Sequence, residues 1–429
     1  MGRSYLQHSP APTMIFALVD GNSFYCSCER VFKPALEKRP VIVLSNNDGC
    51  AIARTAEAKA VGIKMGDPYF KIKDLCRKEN VAVFSSNYPL YGDMSRRMNQ
   101  VYHQFSPEVE VYSIDESFLN LTGFSDLTKY GQEIRGTVRQ WTGIPTCVGI
   151  GPTKTLAKLA NNAAKKNPEL NGVCDFTDKA LLEAMLPKIP VSDIWGIGRA
   201  SSKKLEHLGI KTAADLRAAH IKQIRDIMTV VGERTVAELN GVSCIDLELV
   251  APTPKGCAVT RSFGKPVTDK AQMLEALLHY ATRAGEKLRR NNVCAGAMEV
   301  FMHTNPHNDK VPYRNVGKTV RLAVPSSDTR VLISYAKTLC DVLWRNGYQY
   351  TKAGIVLTEL VQPQQTDLLI RQDPRSAKLM KVMDTVNARF GRETVSIAGA
   401  NIGRRWRPQA GLRSPNYTTD LEGLPVARA

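Results

Sequence analysis

The order of periodicities between Met14 and Ile150 constrains this chain more than any other feature. Met14–Asp20 is an apolar run of strand length, stopped by a carboxylate. Helical spacing follows over Asp93–Phe105. Val109–Ser113 and Ser117–Thr122 then alternate as the two strands of a hairpin, with Asp115 and Glu116 near its tip. Thr128–Trp141 returns to helical spacing, and Thr146–Ile150 closes the series as a strand. Strand, helix, strand, strand, helix, strand is the split βαβ, ferredoxin-like layout. The first crossover is far longer than that unit needs, so Val31 to about Ser86 is expected to hold a small inserted subdomain.

In this layout the first strand lies beside the central strand next to the hairpin tip. Asp20 at the end of one, and Asp115 with Glu116 at the other, can therefore converge on one sheet edge. Carboxylates that close repel at neutral pH unless cations lie between them. Hard oxygen donors that leave room for phosphate oxygens suit Mg²⁺. Two such ions about 3.5–4 Å apart activate an attacking 3′-hydroxyl and stabilise a leaving pyrophosphate. The plainer reading is a turn residue and a solvated hairpin tip. Ile114 and Phe118 weigh against it, because they make the tip half-buried.

A chain of 429 residues exceeds what one core serves, so three or four domains are expected. Residues 1–13 are polar, with Pro10 and Pro12, and read as a disordered leader, with Met14 as an alternative start. Beyond Ile150, Lys154–Lys166 reads as a helix on which Lys154, Lys158, Lys165 and Lys166 form a basic surface. Leu181 to Leu247 is all-helical, and Ala251–Gly256 is a linker with two prolines and a glycine. A second α+β module runs from Cys257 to about Leu360. Its strands include Ala297–Met302, Thr319–Ala323 and Ala353–Leu360, and its helices are Lys270–Arg290 and Asp328–Asn346. Arg289 and Arg290 are candidate phosphate contacts, and Val361–Ala429 reads as a polar, Arg-rich tail.

Charge narrows the partner. Fifty-eight Lys and Arg against 41 Asp and Glu leave a net charge of +17, which favours nucleic acid or an anionic membrane surface. No apolar run approaches the ~18 residues of a membrane span, and Asp20 interrupts the N-terminal run before it can serve as a signal peptide. A cytoplasmic, nucleoid-associated protein with no membrane partner is expected. The 10 cysteines include no C-x-x-C pair and read as reduced, mostly buried thiols. His303 and His307 bracket Asn305 and Pro306, which indicates a loop rather than a metal pair.

Asp20-Gly21-Asn22-Ser23-Phe24-Tyr25 and Tyr112-Ser113-Ile114-Asp115-Glu116-Ser117-Phe118 resemble the metal-site motifs of the Y-family DNA polymerases. Gly149-Ile150-Gly151-Pro152-Thr153-Lys154, leading into Leu156-Ala157-Lys158-Leu159-Ala160, does so too. The likeness is greatest to the UmuC-type branch. It continues through Ser45–Cys50, Ala56–Ala60, Lys64–Pro68 and Ser414–Thr419, and so covers nearly everything after residue 13.

The resemblance implies an α+β multidomain, right-hand Y-family polymerase. A ferredoxin-like palm (14–30 and 87–180) would carry small fingers (31–86), a helical thumb (181–250) and an α+β little finger (257–360). The expected activity is error-prone translesion synthesis in bacterial SOS DNA-damage tolerance, on primer-template DNA with a dNTP. Asp20, Asp115 and Glu116, with the carbonyl of Gly21, would ligate two Mg²⁺ ions, for which Mn²⁺ substitutes. Tyr25 would be the steric gate against a 2′-hydroxyl, its plainer role being core packing. Lys59 and Lys165 would hold the triphosphate, with Lys166 a neighbouring alternative, and Phe24, Cys50 and Ile52 would line the nucleotide site. Many relatives carry a tyrosine at Ala56 and an arginine at Lys59; the UmuC-type branch reads as this chain does.

Ile194-Trp195-Gly196-Ile197-Gly198 resembles a helix-hairpin-helix, whose Gly-apolar-Gly turn lets backbone N–H groups approach a phosphate. Gly196, Gly198, Arg199 and Lys203 are the candidate DNA contacts, against the alternative of a tight turn between packed helices. Gln365-Thr366-Asp367-Leu368-Leu369 resembles a sliding-clamp peptide, with Gln365, Asp367, Leu368 and Leu369 its candidate contacts. The tail resembles the region that engages a UmuD-type accessory dimer, and a RecA-type filament is a further implied partner. Arg404, Arg405 and Arg407 around Trp406 stand open between protein and DNA. The competing readings are a catalytically inactive DNA-binding subunit on the same fold and a nucleotidyl cyclase. Intact acidic ligands oppose the first, and the helix-hairpin-helix and clamp peptide oppose the second.

Overall fold

The computed structural model describes residues 14–250, 252–363, 374–391, 393–398 and 409–420. Their packing forms two compact units, one drawn from 1–44, 50–250 and 412–429, the other from 45–49 and 251–411. Among the described residues no helix is long and apolar enough to cross a membrane.

The first unit starts with β1 (Phe16–Gly21), buried along its whole length, and turns at Ser23 (φ 47°) into α1 (Phe24–Phe32). The insertion follows. It comprises β2 (Val41–Leu44), β3 (Ala51–Arg54), α2 (Ala56–Ala60), α3 (Tyr69–Lys78) and β4 (Ala82–Ser85), with a sheet in the order β3-β2-β4. Ile42, Leu44, Ala58 and Ile63 give it a core of its own. The next helix, α4, spans Tyr88–Tyr102, earlier than the spacing of its apolar residues suggests. Pro89 lies in its first turn, where a missing N–H leaves no intrahelical bond unmade.

Then come β5 (Val109–Val111), β6 (Glu116–Asn120), α5 (Leu127–Thr142), β7 (Thr146–Gly151), α6 (Lys154–Lys166) and β8 (Val173–Asp175). The sheet order is β5-β6-β1-β7-β8, antiparallel except for the parallel β7–β8 pair. The split βαβ order is therefore present, with β8 added at its edge. Alternation sorts the side chains between the two faces. Ala17, Val19, Leu119, Val148 and Ile150 pack with α4 and α5, whereas Phe16, Leu18 and Phe118 pack with Ala157 of α6.

Helix α6 lies very close to the sheet. A Cβ on Gly149 would collide with the backbone of Asn161 and Ala157, and one on Gly151 would sit 2.9 Å from the Ala157 nitrogen. Asn161 pins the helix by donating to the carbonyls of Cys147 (2.8 Å) and Leu18 (3.2 Å). On the same stripe Lys154 is buried and ion-paired to Glu110, so it is no part of a basic surface. A buried lysine needs such a partner, and Glu110 also accepts from the Glu248 backbone N–H at 2.8 Å.

The following stretch is helical, as expected, through α7 (Lys179–Met185), α8 (Arg199–His207), α9 (Ala213–Ala218) and α10 (Ile221–Leu239). Leu182, Ile194, Leu205, Leu216 and Val236 join Leu156 and Leu159 of α6 in one core.

The second unit contains β9 (Cys257–Val267), α11 (Lys270–Arg290), β10 (Cys294–Thr304), β11 (Asn315–Ser326), α12 (Thr329–Leu343) and β12 (Tyr350–Val361). Its antiparallel sheet runs β11-β10-β12-β9, and Met273, Leu277 and Leu339 of the helices pack with Met298 and Ile355 of the strands. A further helix, α13 (Pro374–Phe390), occupies what reads in sequence as polar tail. Met380 on it is buried, and Asp384 takes both branches of the Arg289 guanidinium at 2.7 Å. Arg289 is thus a structural residue of this unit and not a free phosphate contact. Eight of the ten cysteines are buried.

Gly149→Ala should lower stability by about 1–3 kcal/mol or more, since backbone rather than a pliable side chain occupies the space. Gly136→Ala in α5, where nothing lies within 4 Å, should gain about 0.5–1 kcal/mol. Urea unfolding of the two variants checks this, and equal stabilities would contradict the proposed contact.

Candidate active site

The register of β1 against β6 places Asp20 directly opposite Glu116. Cross-strand partners point to the same face, here the face covered by α6. The Gly21 N–H donates to the carbonyl of Asp115 at 2.8 Å and closes the hairpin tip on the end of β1. Ser113 holds the tip from within: its hydroxyl donates to Asp115 Oδ1 at 2.7 Å and accepts the N–H of Glu116 at 3.1 Å.

Three acids thus gather at the predicted edge, and α6 brings cations to two of them. Lys165 Nζ lies 2.5 Å from Asp20 Oδ2, and Lys158 Nζ lies 3.0 Å from Glu116 Oε2. Lys154, Lys158, Asn161 and Lys165 recur at helical spacing, so one stripe of α6 supplies every one of these polar contacts to the sheet. Lys158 also lies 4.3 Å from the centre of the Tyr112 ring and 5.0 Å from that of Trp195. Sequence reasoning did not single out Lys158 for this place, nor Trp195, whose ring leans on Tyr112 and Phe118.

Burial pushes the Asp20 carboxyl up to about 6; Lys165 opposes this, while the charges of Glu116 and Asp115 add to it. That mutual repulsion, in a set of hard oxygen donors, is what a divalent cation relieves, so the donor chemistry fits one. In the geometry described here the lysines stand in that role. Among the described residues no three acid, histidine or cysteine side chains are gathered closely enough to hold a metal ion. A cleft of about 200 Å³ opens beside them, lined by Asp20, Glu116, Lys158, Lys165, Asp193 and Trp195. A larger cavity of about 1180 Å³ lies in the second unit, between α11, α12 and α13, and includes no residue of this acid cluster.

Tyr25 follows in the first turn of α1, half-buried. Its ring stacks on Tyr91 at 4.6 Å and meets Tyr88 edge-on at 6.0 Å. Burial, then the nearby phenol of Tyr88 and the charge of Asp115, push its hydroxyl up to about 12, so the ring stays neutral. Ser23 fixes the start of α1 by donating to the carbonyl of Arg54 at 2.9 Å. Phe24 is buried beneath Gly21 and belongs to the core. Cys50 and Ile52 are half-buried beside and within β3, and Lys59 is exposed on α2.

Gly196 (φ 85°) turns the chain between α7 and α8, and Gly198 caps α8 without a side chain. Both are exposed, as are Arg199 and Lys203. Gln365, Asp367, Leu368 and Leu369 lie outside the described residues, as do Arg404, Arg405, Trp406 and Arg407.

The profile of the impB/mucB/samB family matches residues 19–162, and that of its C-terminal domain matches 254–368. Residues 182–210 match the helix-hairpin-helix motif of the same family, and 377–427 match a domain of unknown function. Protein UmuC of Salmonella typhimurium is 46% identical over 96% of this chain and 99% of its own length. Protein MucB of Escherichia coli is 40% identical over 96% and 99%. DNA polymerase IV 1 of Bacillus subtilis is 25% identical over 90% and 93%. Among solved structures, a Y-family DNA polymerase chimera, Dbh-Dpo4(243-245)-Dbh, superposes with a TM-score of 0.64. It covers 81% of this chain and 100% of its own at 20% identity, a likeness of fold.

Folding raises the pKa of Asp20 above its ordinary value of 3.8, so the folded state binds this proton more tightly. The associated stability is present below 3.8 and is lost as pH rises through about 6. In metal-free buffer Asp20→Asn should therefore exceed the wild type at pH 8 by on the order of 2–3 kcal/mol. The gain should shrink towards nothing at pH 4. A pH series of urea unfolding curves checks it; a gain independent of pH would show that burial of the charge is not the cause.

Proposed function

Because this chain belongs to the impB/mucB/samB family of Y-family DNA polymerases, we propose that Asp20, Asp115 and Glu116 are the catalytic acids of an error-prone translesion enzyme. The chain is a DNA polymerase, and its substrates are primer-template DNA and deoxynucleoside triphosphates. One observation carries the site assignment: the β1–β6 register faces Asp20 with Glu116 while Gly21 bonds the backbone of Asp115. An inactive subunit on this fold would have no use for such a cluster.

The carboxylates of Asp20, Asp115 and Glu116, with the Gly21 carbonyl, would hold the divalent ions, Mg²⁺ or Mn²⁺ in its place. When bound, such ions supply the positive charge that acidifies a primer 3′-hydroxyl and stabilises departing pyrophosphate. The remaining work falls to the chain. Lys165 is held at the acids, where an arriving triphosphate offers it further negative charge, and Lys59 adds a second cation from the inserted subdomain. Lys158 restrains Glu116. Tyr25, kept neutral and stacked on Tyr91, presents a stiff ring to the sugar, and a 2′-hydroxyl would collide with it. Phe24 supports that pocket from below, with Cys50 and Ile52 on the side of the base pair.

In this reading the five-stranded sheet is the palm, the three-stranded insertion the fingers, α7–α10 the thumb and β9–β12 the little finger. Gly196, Gly198, Arg199 and Lys203 grip duplex phosphates without reading sequence. The resemblance of the tail supports sliding-clamp docking through Gln365–Leu369, and partnership with a UmuD-type dimer and a RecA-type filament, in cytoplasmic work at the nucleoid.

Primer extension on a template with an abasic site tests this. The wild type should extend with Mg²⁺, and Asp115→Ala with Glu116→Ala should abolish extension; activity retained in that double variant would reject the acid assignment. Tyr25→Ala should raise ribonucleotide incorporation at least tenfold, about 1.4 kcal/mol of discrimination. Unchanged sugar selectivity would remove the gate role.

A further inference from the structure

The tyrosine at the sugar position does not stand alone. Helix α1 presents Tyr25, Glu29 and Phe32 along one stripe, at the spacing that stacks helix residues on one face. Helix α4 and its entry face that stripe with Asn87, Tyr88 and Tyr91. Ser414 and Tyr417, far along the chain, are buried against these two helices.

Glu29, Asn87 and Tyr91 are fully buried, which for a carboxylate and an amide requires hydrogen-bond partners. The C-terminal segment provides most of them. Glu29 Oε1 accepts from the Tyr91 hydroxyl at 2.7 Å and from the Ser414 hydroxyl at 2.9 Å. The Asn87 amide donates to the Ser414 carbonyl and hydroxyl, both at 3.0 Å, and to the Pro415 carbonyl at 3.1 Å. Its oxygen accepts from Arg413 Nη2 at 3.1 Å. On either side, the Ser85 N–H donates to the Leu412 carbonyl at 3.1 Å while the Leu412 N–H donates to the Ser85 hydroxyl at 2.9 Å, and Tyr417 stacks on Phe32 at 4.7 Å. Ser414 and Tyr417 are themselves buried.

We infer that residues 412–417 position the sugar-sensing ring, with Ser414 acting through Glu29 and Tyr91 on Tyr25. The chain of contact is continuous: Ser414 hydroxyl to Glu29 carboxyl, Glu29 to the Tyr91 hydroxyl, and Tyr91 ring to Tyr25 ring. Tyr91 has no other hydroxyl partner among the described contacts. With Ser414 lost, the buried Glu29 carboxyl group loses one of its two hydroxyl donors, and relief comes by admitting water or by moving Tyr91. Either outcome loosens the surface on which Tyr25 is stacked. Ser414, Glu29 and Asn87 are positioning residues here, since none of them meets the nucleotide. This gives a role to part of a region whose family description assigns none.

The inference depends on Tyr25 being the gate, and the test separates the two ideas. Primer extension by the full chain is measured with dNTP and rNTP, taking the ratio of kcat/KM values, for wild type, Tyr25→Ala, Ser414→Ala, Ser414→Thr and the Tyr25→Ala/Ser414→Ala pair. Ser414→Ala should reduce discrimination roughly fivefold, the size expected for one ordinary hydrogen bond. Ser414→Thr, which keeps the hydroxyl, should restore it, and the double variant should be no worse than Tyr25→Ala alone. A role confined to folding would lower turnover with both sugars and leave the ratio unchanged, which would overturn the inference while Tyr25→Ala still shifts it. If Tyr25→Ala leaves the ratio where it was, the gate reading falls, and this inference falls with it. A chain ending at Gly411 should lose more discrimination than Ser414→Ala; should it fail to fold, the point variants decide.

Discussion

Helix α6 reaches the sheet only because Gly149 has no side chain. With backbone against backbone there, Asn161 can bond carbonyls on two neighbouring strands, and the axial position of the helix is fixed within a fraction of a turn. The lysines at fixed intervals from Asn161 then arrive over Glu110, Glu116 and Asp20 in turn. A helix held farther out would leave Asp20 and Glu116 at the sheet edge, and Glu110 on β5, without their lysines, in surroundings that already raise Asp20 well above its usual range. The close approach therefore sets where the lysines meet the acids.

The same arrangement separates sealed charge from accessible charge. Lys154 is shut away with Glu110 and also bonds the carbonyl of Asp246 at 2.7 Å, which ties the end of the helical region to β5. Lys165, one end of the same stripe, remains reachable from solvent at a third of its side-chain surface. A pair open to solvent on its lysine side only is held less firmly than one sealed on both sides. A buried one is costly to break. Position along one helix sets which lysine is sealed from solvent and which remains reachable from it.

Much of this was legible in the sequence. The alternating periods from Met14 to Ile150 gave the sheet order, and that order alone put Asp20 beside Glu116, because neighbouring strands in the split βαβ unit are dictated by the crossovers. The lysine stripe was visible as spacing, but its division was not: Lys154 and Lys158 look alike locally, and their partners lie 44 and 42 residues away. Helix α13 escaped notice because its apolar positions are diluted by Lys and Arg, and its anchor, the Arg289–Asp384 pair, spans 95 residues. The motif Ser414–Thr419 was recognised by resemblance only. Nothing periodic marks Ser414 and Tyr417 as buried, since the burial of Ser414 is decided by an amide and a carboxyl group far away in sequence.

That last separation bears on the order in which the molecule can be completed. Asn87 precedes Ser414 by 327 residues. At a ribosomal pace of roughly 5–20 residues per second, the amide and the Glu29 carboxylate emerge about a quarter of a minute to a minute before the peptide that satisfies them. Through that interval the crevice between α1 and α4 must stay hydrated, although the strands and acids around it can already be in place. The packing beneath the Tyr25 and Tyr91 rings is thus closed from the tail inward, and it is among the last parts to set.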